Sequence, residues 1–316
     1  MSTEARNHHY VPQAYLRAFT ESGSKKSKFT VYEVETGNRF ETIPRNVCAV
    51  RDFNRVAIPG VPSNIVETEM AKFEGLIVPA VKEIECTNQF DGDARSSILN
   101  LVALLAVRHP DRRESMRKAH ARTAEIIMSM TLDKRDTYDR TIAKAIAEGK
   151  IKEGGPGYEK VKDFFDRGNY DIEVCTEHHL KMEAGMHETA LQLLVQRNWM
   201  LYRANPTDGH YITSDFPVAL TWRNPDKIPP FYRSSPGFGM IDTEVVFPLT
   251  KGLVLVGTFD GHNGYEVACP ELIAAVNSRV MSYSSRQIYS SKRHFPALSH
   301  NTEIVNGADL LQKREK

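Results

Sequence analysis

The chain has 316 residues, 41% of them apolar, which supplies enough core for a compact globular protein, and its 41 basic and 40 acidic side chains nearly cancel. That balance argues against a global field drawing the chain to nucleic acid or lipid, so any polyanion site must come from local clustering of arginines. Four cysteines, Cys48, Cys86, Cys175 and Cys269, stand far apart without CxxC spacing, which argues against a zinc knuckle or a disulfide framework and fits a reducing cytoplasm.

In chain order, residues 6–19 read RNHHYVPQAYLRAF and place two histidines and an arginine among large aromatics. The histidines and Arg17 interrupt every apolar run, so neither a secretion signal nor a membrane segment is expected here, and no later window approaches 18 consecutive apolar residues. After a polar loop, KFTVYEVETGNRFETIP alternates around Thr36-Gly37-Asn38 and predicts a β-hairpin. Ser63 or Asn64 with Glu67 reads as a capping box for a helix over 65–85. On that helix Val66, Glu69, Phe73, Leu76, Ile77, Ala80 and Ile84 share an apolar face, Glu67 and Glu74 share a neighbouring one, and Pro79 is a point for a kink. Residues 94–109 are apolar nearly all round and predict a central buried helix ending at Arg108-His109-Pro110. A charged helical region over 111–150 is broken by KEGGPGY at 152–158, and a helix over 176–198 carries Leu180, Ala184, His187, Leu191 and Leu194 on one stripe.

Beyond Trp199 the pattern becomes short strands: WMLYRA, HYITSD with FPVALTW, EVVFPL, and GLVLVGTF after Thr250-Lys251-Gly252. A proline-rich loop at 223–240 separates two of them, and loops of that length are uncommon unless they cover a site or remain mobile. A helix over 270–285, a strand over 286–290 and a frayed LLQKREK end complete the chain. Strands, then helices, then strands predict an α+β fold, with a helical region packed on a mainly antiparallel sheet built from the N-terminal hairpin and the C-terminal strands. The expected organisation is a single domain: an N-terminal motif and hairpin (1–62), a helical region (63–198), a sheet region (199–295) and a tail (296–316).

Five residue types in this order suggest chemistry, each with a plainer reading beside it. His8 and His9 point to opposite faces of an extended segment, so one of them at most is delivered to a pocket; otherwise they cap an edge while the aromatics anchor the chain. Glu67 and Glu74 are two turns apart, about 10 Å, and serve either as metal or acid–base carboxylates or as a solvated face. Arg108 suits a carboxylate or phosphate, or ties Glu69 or Glu74 into an ion pair. Asp215, expected at the exposed rim of a sheet, is a metal ligand or histidine partner on one reading and an ordinary turn residue on the other. His179, Glu183 and His187 are spaced like a metal-ligand run but are not HExxH, and Gly185 interrupts them. Ser214 lacks a nucleophile elbow, and no Walker A or dinucleotide fingerprint is present.

HHYVPQAYLRAF, the DF at 52–53, ETEMAKFEG, RHP, ITSDFPV and VVFPLT together resemble a widespread bacterial family of unknown function marked by an N-terminal HHYVPQ-x-YL segment, and the similarity spans nearly the whole chain. The resemblance points to His9, Gln13, Tyr15, Leu16, Glu67, Glu74, Arg108, Pro110, Ser214, Asp215 and Pro217, and favours Glu67 and Glu74 over Glu69. It departs at His109, where the family pattern more often has a small polar residue.

The expectation carried forward is a metal-dependent hydrolase, a phosphodiesterase or nuclease acting on short, single-stranded or nucleotide-sized substrates. In it Mg²⁺ or Mn²⁺ is held by Glu67, Glu74, Asp215 and His9, with His9 as ligand or base and Arg108 on the phosphate. The competing expectation is a non-catalytic module in which the same residues form a buried polar network and the 223–240 loop binds another protein. A hydrolase that works without metal is a third.

Overall fold

A computed structural model describes residues 6–312. The chain divides into two compact units, one formed by Pro110–His179 and the other by the segments on either side of it. The first unit begins with β1 (Asn7–His9), α1 (Gln13–Arg17), the hairpin β2 (Phe29–Glu33) and β3 (Arg39–Thr42), β4 (Ala49–Arg51), α2 (Ile65–Thr87) and α3 (Gly92–Val107). The second unit holds α4 (Pro110–Leu132), α5 (Arg135–Ala147) and α6 (Tyr158–Arg167), and α7 (Thr176–Val195) leads out of it. Then follow β5 (Asn198–Ala204), β6 (Thr213–Ser214), β7 (Ala219–Trp222), α8 (Pro230–Arg233), β8 (Thr243–Thr250), β9 (Leu253–Thr258), β10 (Gly264–Ala268), α9 (Pro270–Tyr283), β11 (Gln287–Ser290), β12 (Pro296–Leu298), β13 (Ile304–Asn306) and α10 (Gly307–Gln312).

The fold is α+β. A five-stranded sheet has the order β10-β5-β9-β8-β7, and a four-stranded sheet the order β3-β2-β11-β6. All pairings are antiparallel except β10 with β5. The N-terminal hairpin joins the C-terminal strands, as its alternation suggests, through Ile288↔Tyr32 and Tyr289↔Val31. Its turn closes with Gly37 N–H on the Glu33 carbonyl at 2.9 Å, and Gly37 takes φ +66°, where a Cβ would be strained.

The helix α3 fills the core as expected of an all-round apolar helix: Ile98, Leu99, Leu101, Val102, Ala103 and Leu105 are buried against α2 and the large sheet. It stops at Arg108 because His109 precedes Pro110 and is disfavoured from the helical region. In α2 the capping box does not form. Asn64 makes no side-chain cap bond, and Glu67 spends its carboxylate on Asn54 instead. The helix α7 ends at Val195, short of 198, and its buried stripe is His179, Glu183, Ala190 and Leu194, whereas Ala184 is exposed.

Residues 296–312, expected as a tail, are instead structured. Phe295, Ala297, Ala308 and Leu311 close a second core with Tyr32, Ile212, Val280 and Ile288. The last residues of the expected frayed LLQKREK segment, 313–316, lie outside the described residues. Within the second unit, Tyr138 packs edge-on against Tyr158, and each hydroxyl donates to a backbone carbonyl, that of Pro156 at 2.8 Å and of Leu132 at 3.0 Å.

One cross-strand pair sets a testable packing limit. Trp199 on β5 lies opposite Gly257 on β9, and a Cβ at Gly257 would stand 2.8 Å from the indole ring. Trp199 is held from behind by its Nε1–H on the Leu194 carbonyl at 3.0 Å, so the ring has no room to retreat. Gly257→Ala is expected to cost about 1–3 kcal/mol in urea unfolding, the usual penalty of overpacking; an unchanged midpoint contradicts the close packing.

Candidate functional site

The aromatic residues of HHYVPQAYLRAF pin the N-terminal segment to the core. Tyr15, Leu16 and Phe19 are essentially inaccessible. The Tyr15 ring stacks on Phe247 at 5.2 Å, while its hydroxyl donates to the Pro248 carbonyl at 2.8 Å and accepts from Thr213 Oγ1 at 2.7 Å. Ahead of them, β1 pairs with β4 through His8↔Val50 and His9↔Ala49, and Tyr10 N–H continues the ladder to the Cys48 carbonyl at 2.9 Å. With the strand fixed in register, its two histidines face different surroundings.

His8 is buried. Its Nδ1 accepts the Asn54 backbone N–H at 2.9 Å, and the Asn54 side chain in turn donates to Glu67 Oε1 at 2.5 Å. Arg108, 3% exposed, approaches the same Glu67 oxygen at 3.8 Å and lies over the Phe53 ring at 5.9 Å. Arg108 therefore pairs with Glu67, and it stands behind that carboxylate rather than on the surface. Glu69 faces solvent and pairs with Lys72 at 2.8 Å. His109 is buried between the rings of Tyr10 (5.2 Å) and Phe216 (4.9 Å), which gives it a packing role.

His9 is half-buried. Its Nε2 lies 3.2 Å from the Arg45 carbonyl, which can only accept, so Nε2 carries the proton and Nδ1 is left with the lone pair. The Gln13 amide reaches that Nδ1 with a long contact of 3.4 Å. Burial lowers the His9 pKa below its ordinary 6.5 despite the favourable carbonyl and Glu67, so the ring is a neutral base at pH 7. Glu74 moves the other way: burial raises it above 4.5, with neighbouring Glu67 adding to the effect. Its Oε2 takes the Ala14 amide at 3.4 Å, at the start of α1.

Two arginines frame this pair. Arg45 is exposed beside His9, Arg17 is half-buried beside Glu74, and the charge of each acts on its neighbour. Neither has a carboxylate within ion-pairing distance among the described residues. Neither arginine stands among the site residues expected from the sequence. The available signal was the position of Arg17 in YLRAF, four residues after Gln13, where one helical turn stacks them.

Asp215 is placed differently from the expectation. It is 1% exposed rather than at an open rim, and its two oxygens accept the backbone amides of Ser285 (3.0 Å) and Arg286 (2.8 Å), just past the end of α9. The local turn is made by Ser214, whose hydroxyl takes the Phe216 amide at 3.1 Å. The Asp215 charge, together with burial, pushes Tyr10, Cys48 and Tyr289 up, and the Cys48 thiol sits 3.0 Å from the Tyr289 hydroxyl. Asp215 thus neighbours the histidine strand through Tyr10 but spends its carboxylate on the chain itself.

Of the expected metal set, His9, Glu67 and Glu74 lie in one electrostatic neighbourhood. Among the described residues no three His, Cys, Asp or Glu side chains come together as a cation cradle. The reason is visible in the bonds: Glu67 is committed to Asn54 and Arg108, Glu74 to the α1 amides, and Asp215 to residues 285 and 286. In the H-x3-E-x3-H run, His179 and Glu183 are buried, and His187 Nε2 contacts the Asn100 carbonyl at 3.3 Å.

Fold and site together define an α+β protein whose pinned N-terminal segment carries His9 beside Arg45 and, one helix start further on, holds Glu74 beside Arg17, with Glu67 acting on both His9 and Glu74. The chain belongs to the family described as protein of unknown function (DUF4238), whose model matches residues 7–294. No curated protein and no solved structure matches it. No described helix is long and apolar enough to cross a membrane.

Proposed function

We propose that this protein hydrolyses phosphodiester bonds in short or nucleotide-sized substrates by general acid–base catalysis without a resident metal. The observation that carries the reading is the patch on which a tautomer-locked neutral His9 and an up-shifted Glu74 are flanked by Arg45 and Arg17. His9 Nδ1 takes a proton from the attacking water, and protonated Glu74 gives one to the leaving oxygen. Arg17 and Arg45 hold the phosphate by the charge it already carries in the bound substrate. Arg108 and Glu67 position the patch from behind. The nearly neutral chain favours a small substrate over a long duplex, since duplex binding needs an extended basic face.

The test is hydrolysis of bis(p-nitrophenyl) phosphate and of dinucleotides, with chelator present. Activity is expected to survive the chelator, and Arg17→Ala with Arg45→Ala to raise KM more than they lower kcat. Activity that appears only with added Mg²⁺ or Mn²⁺ restores the metal-dependent expectation and overturns this one.

The pH dependence has a definite sign. His9 must be neutral, and its pKa lies below 6.5, so the base form persists on the acid side; Glu74 must be protonated, and its pKa lies above 4.5, so the acid form persists upward. The product of the two fractions peaks on the acid side of neutrality. A profile of kcat/KM that rises steadily through pH 8 is incompatible with this assignment.

A second reading, an interaction module, is favoured by the 223–240 loop and the residues that follow it. There Phe231 is 84% exposed, and Tyr232, Met240 and Ile241 are exposed beside it. Absence of hydrolysis on every phosphodiester, with a stable fold, favours that reading.

A further inference from the structure

A pocket of about 280 Å³ lies away from the His9 patch, where the loop before β6 meets the β8–β9 turn and the segment after β11. Its wall includes Glu21, Ala204, Pro206, His210, Lys251 and Lys292: an apolar floor, two ammonium groups, an imidazole, and one carboxylate that forms no ion pair with either lysine. Gly209 is required there: it takes φ +144°, and a Cβ would lie 2.7 Å from Pro296 Cγ. The backbone itself therefore shapes the floor.

The hydrogen bonds fix what the imidazole offers. Ser290 has one hydroxyl proton and donates it to the Lys292 carbonyl at 2.7 Å, so in its 2.9 Å contact with His210 it accepts and His210 Nε2 donates. His210 Nδ1 is left as an acceptor without a partner in the described residues. Burial and the two lysines push the His210 pKa down to about 4, so the ring stays neutral and the lone pair stays available at pH 7. The lysines are short of anions. Lys251 reaches only the carbonyls of Thr20 (3.1 Å) and Glu21 (2.5 Å), and Lys292 has no ion pair among the described residues.

We propose that this pocket binds a small phosphate monoester that carries a hydroxyl next to the ester. The phosphate lies between Lys251 and Lys292, the hydroxyl donates to His210 Nδ1, and the carbon chain covers Ala204 and Pro206. Lysines suit phosphate as compact point charges. The volume sits at the lower edge of ligand pockets, about 300–1,000 Å³, which limits the ligand to a small metabolite.

Glycerol 3-phosphate, lactate and inorganic phosphate serve as probes on the full chain, by calorimetry and by ¹⁵N resonances of the histidine rings. Saturable binding of glycerol 3-phosphate is expected, with a shift of His210 Nδ1 that inorganic phosphate does not produce. Lys292→Glu is expected to weaken it about tenfold or more at unchanged melting temperature, because that side chain is exposed and supports no other group. Binding that ignores Lys292→Glu, an unmoved His210 Nδ1, or no binding by glycerol 3-phosphate at millimolar concentration overturns the proposal. Tighter binding of lactate than of glycerol 3-phosphate overturns the phosphate assignment.

Discussion

His9→Gln is expected to lower kcat/KM for phosphodiester hydrolysis by about 10²–10⁴, the range that a positioned general base contributes. Glutamine keeps the length of the side chain and can still donate to the Arg45 carbonyl, as His9 Nε2 does at 3.2 Å, but it has no lone pair that takes a proton at pH 7. Since His9 is only half-buried and its bonds are to Arg45 and Gln13, stability should change little. Glu74→Gln makes the companion case. It preserves an acceptor for the Ala14 amide, contacted at 3.4 Å, and removes the donated proton. If base and acid act in one step, the double variant is expected to be little worse than either single one, as for residues that work as a unit. The measurement is steady-state kinetics on a dinucleotide beside a melting curve for each variant. A loss of less than about threefold in His9→Gln at intact stability removes the base from the mechanism, whatever happens at Glu74.

The parts of this fold that were legible in the sequence are those with a long repeat. The β2–β3 hairpin and α2 hold period 2 or period 3.6 for long enough to be read, α3 and the β8–β9 pair are nearly uninterrupted apolar runs bounded by turn signals, and each is found within a few residues of expectation. Short elements carry no period. The three-residue strands β1 and β4 and the β12–β13 pair exist because a distant strand completes their hydrogen bonds, which no local pattern records. The same divide runs through the site. That one of two adjacent histidines turns inward follows from strand geometry, yet which one depends on Asn54, forty-six positions away, whose backbone amide meets His8. Arg108 was legible as a paired cation because it ends an apolar helix, but its partner is Glu67, and only tertiary packing decides that. Arg45 had no signature at all and Arg17 only its spacing from Gln13, since an arginine flanking a pocket and one in solvent look alike in sequence.

Asp215→Ala is expected to cost about 3–5 kcal/mol, the scale for removing one partner from a buried charge-assisted network. Both oxygens of this 1%-exposed carboxylate hold backbone amides, those of Ser285 and Arg286, at the junction where α9 hands the chain to β11. Without it the amides of Ser285 and Arg286, in two part-buried bonds, lose their charged acceptor, and each such bond contributes about 1.5–3 kcal/mol. Asp215→Asn retains one acceptor oxygen and should recover roughly half of the loss. The junction matters because β11 carries both the N-terminal hairpin and β6, so slackening there loosens the small sheet as a whole. Urea unfolding of the three proteins separates the two roles weighed for this aspartate. A residue kept for catalysis or metal binding is commonly held at the expense of stability, so its removal leaves the fold as stable as before or more so. A residue that ties two distant segments together does the opposite. If Asp215→Ala unfolds at the wild-type urea concentration while hydrolysis disappears, the carboxylate belongs to the reaction, and the acid–base pair at His9 and Glu74 has to be redrawn to include it.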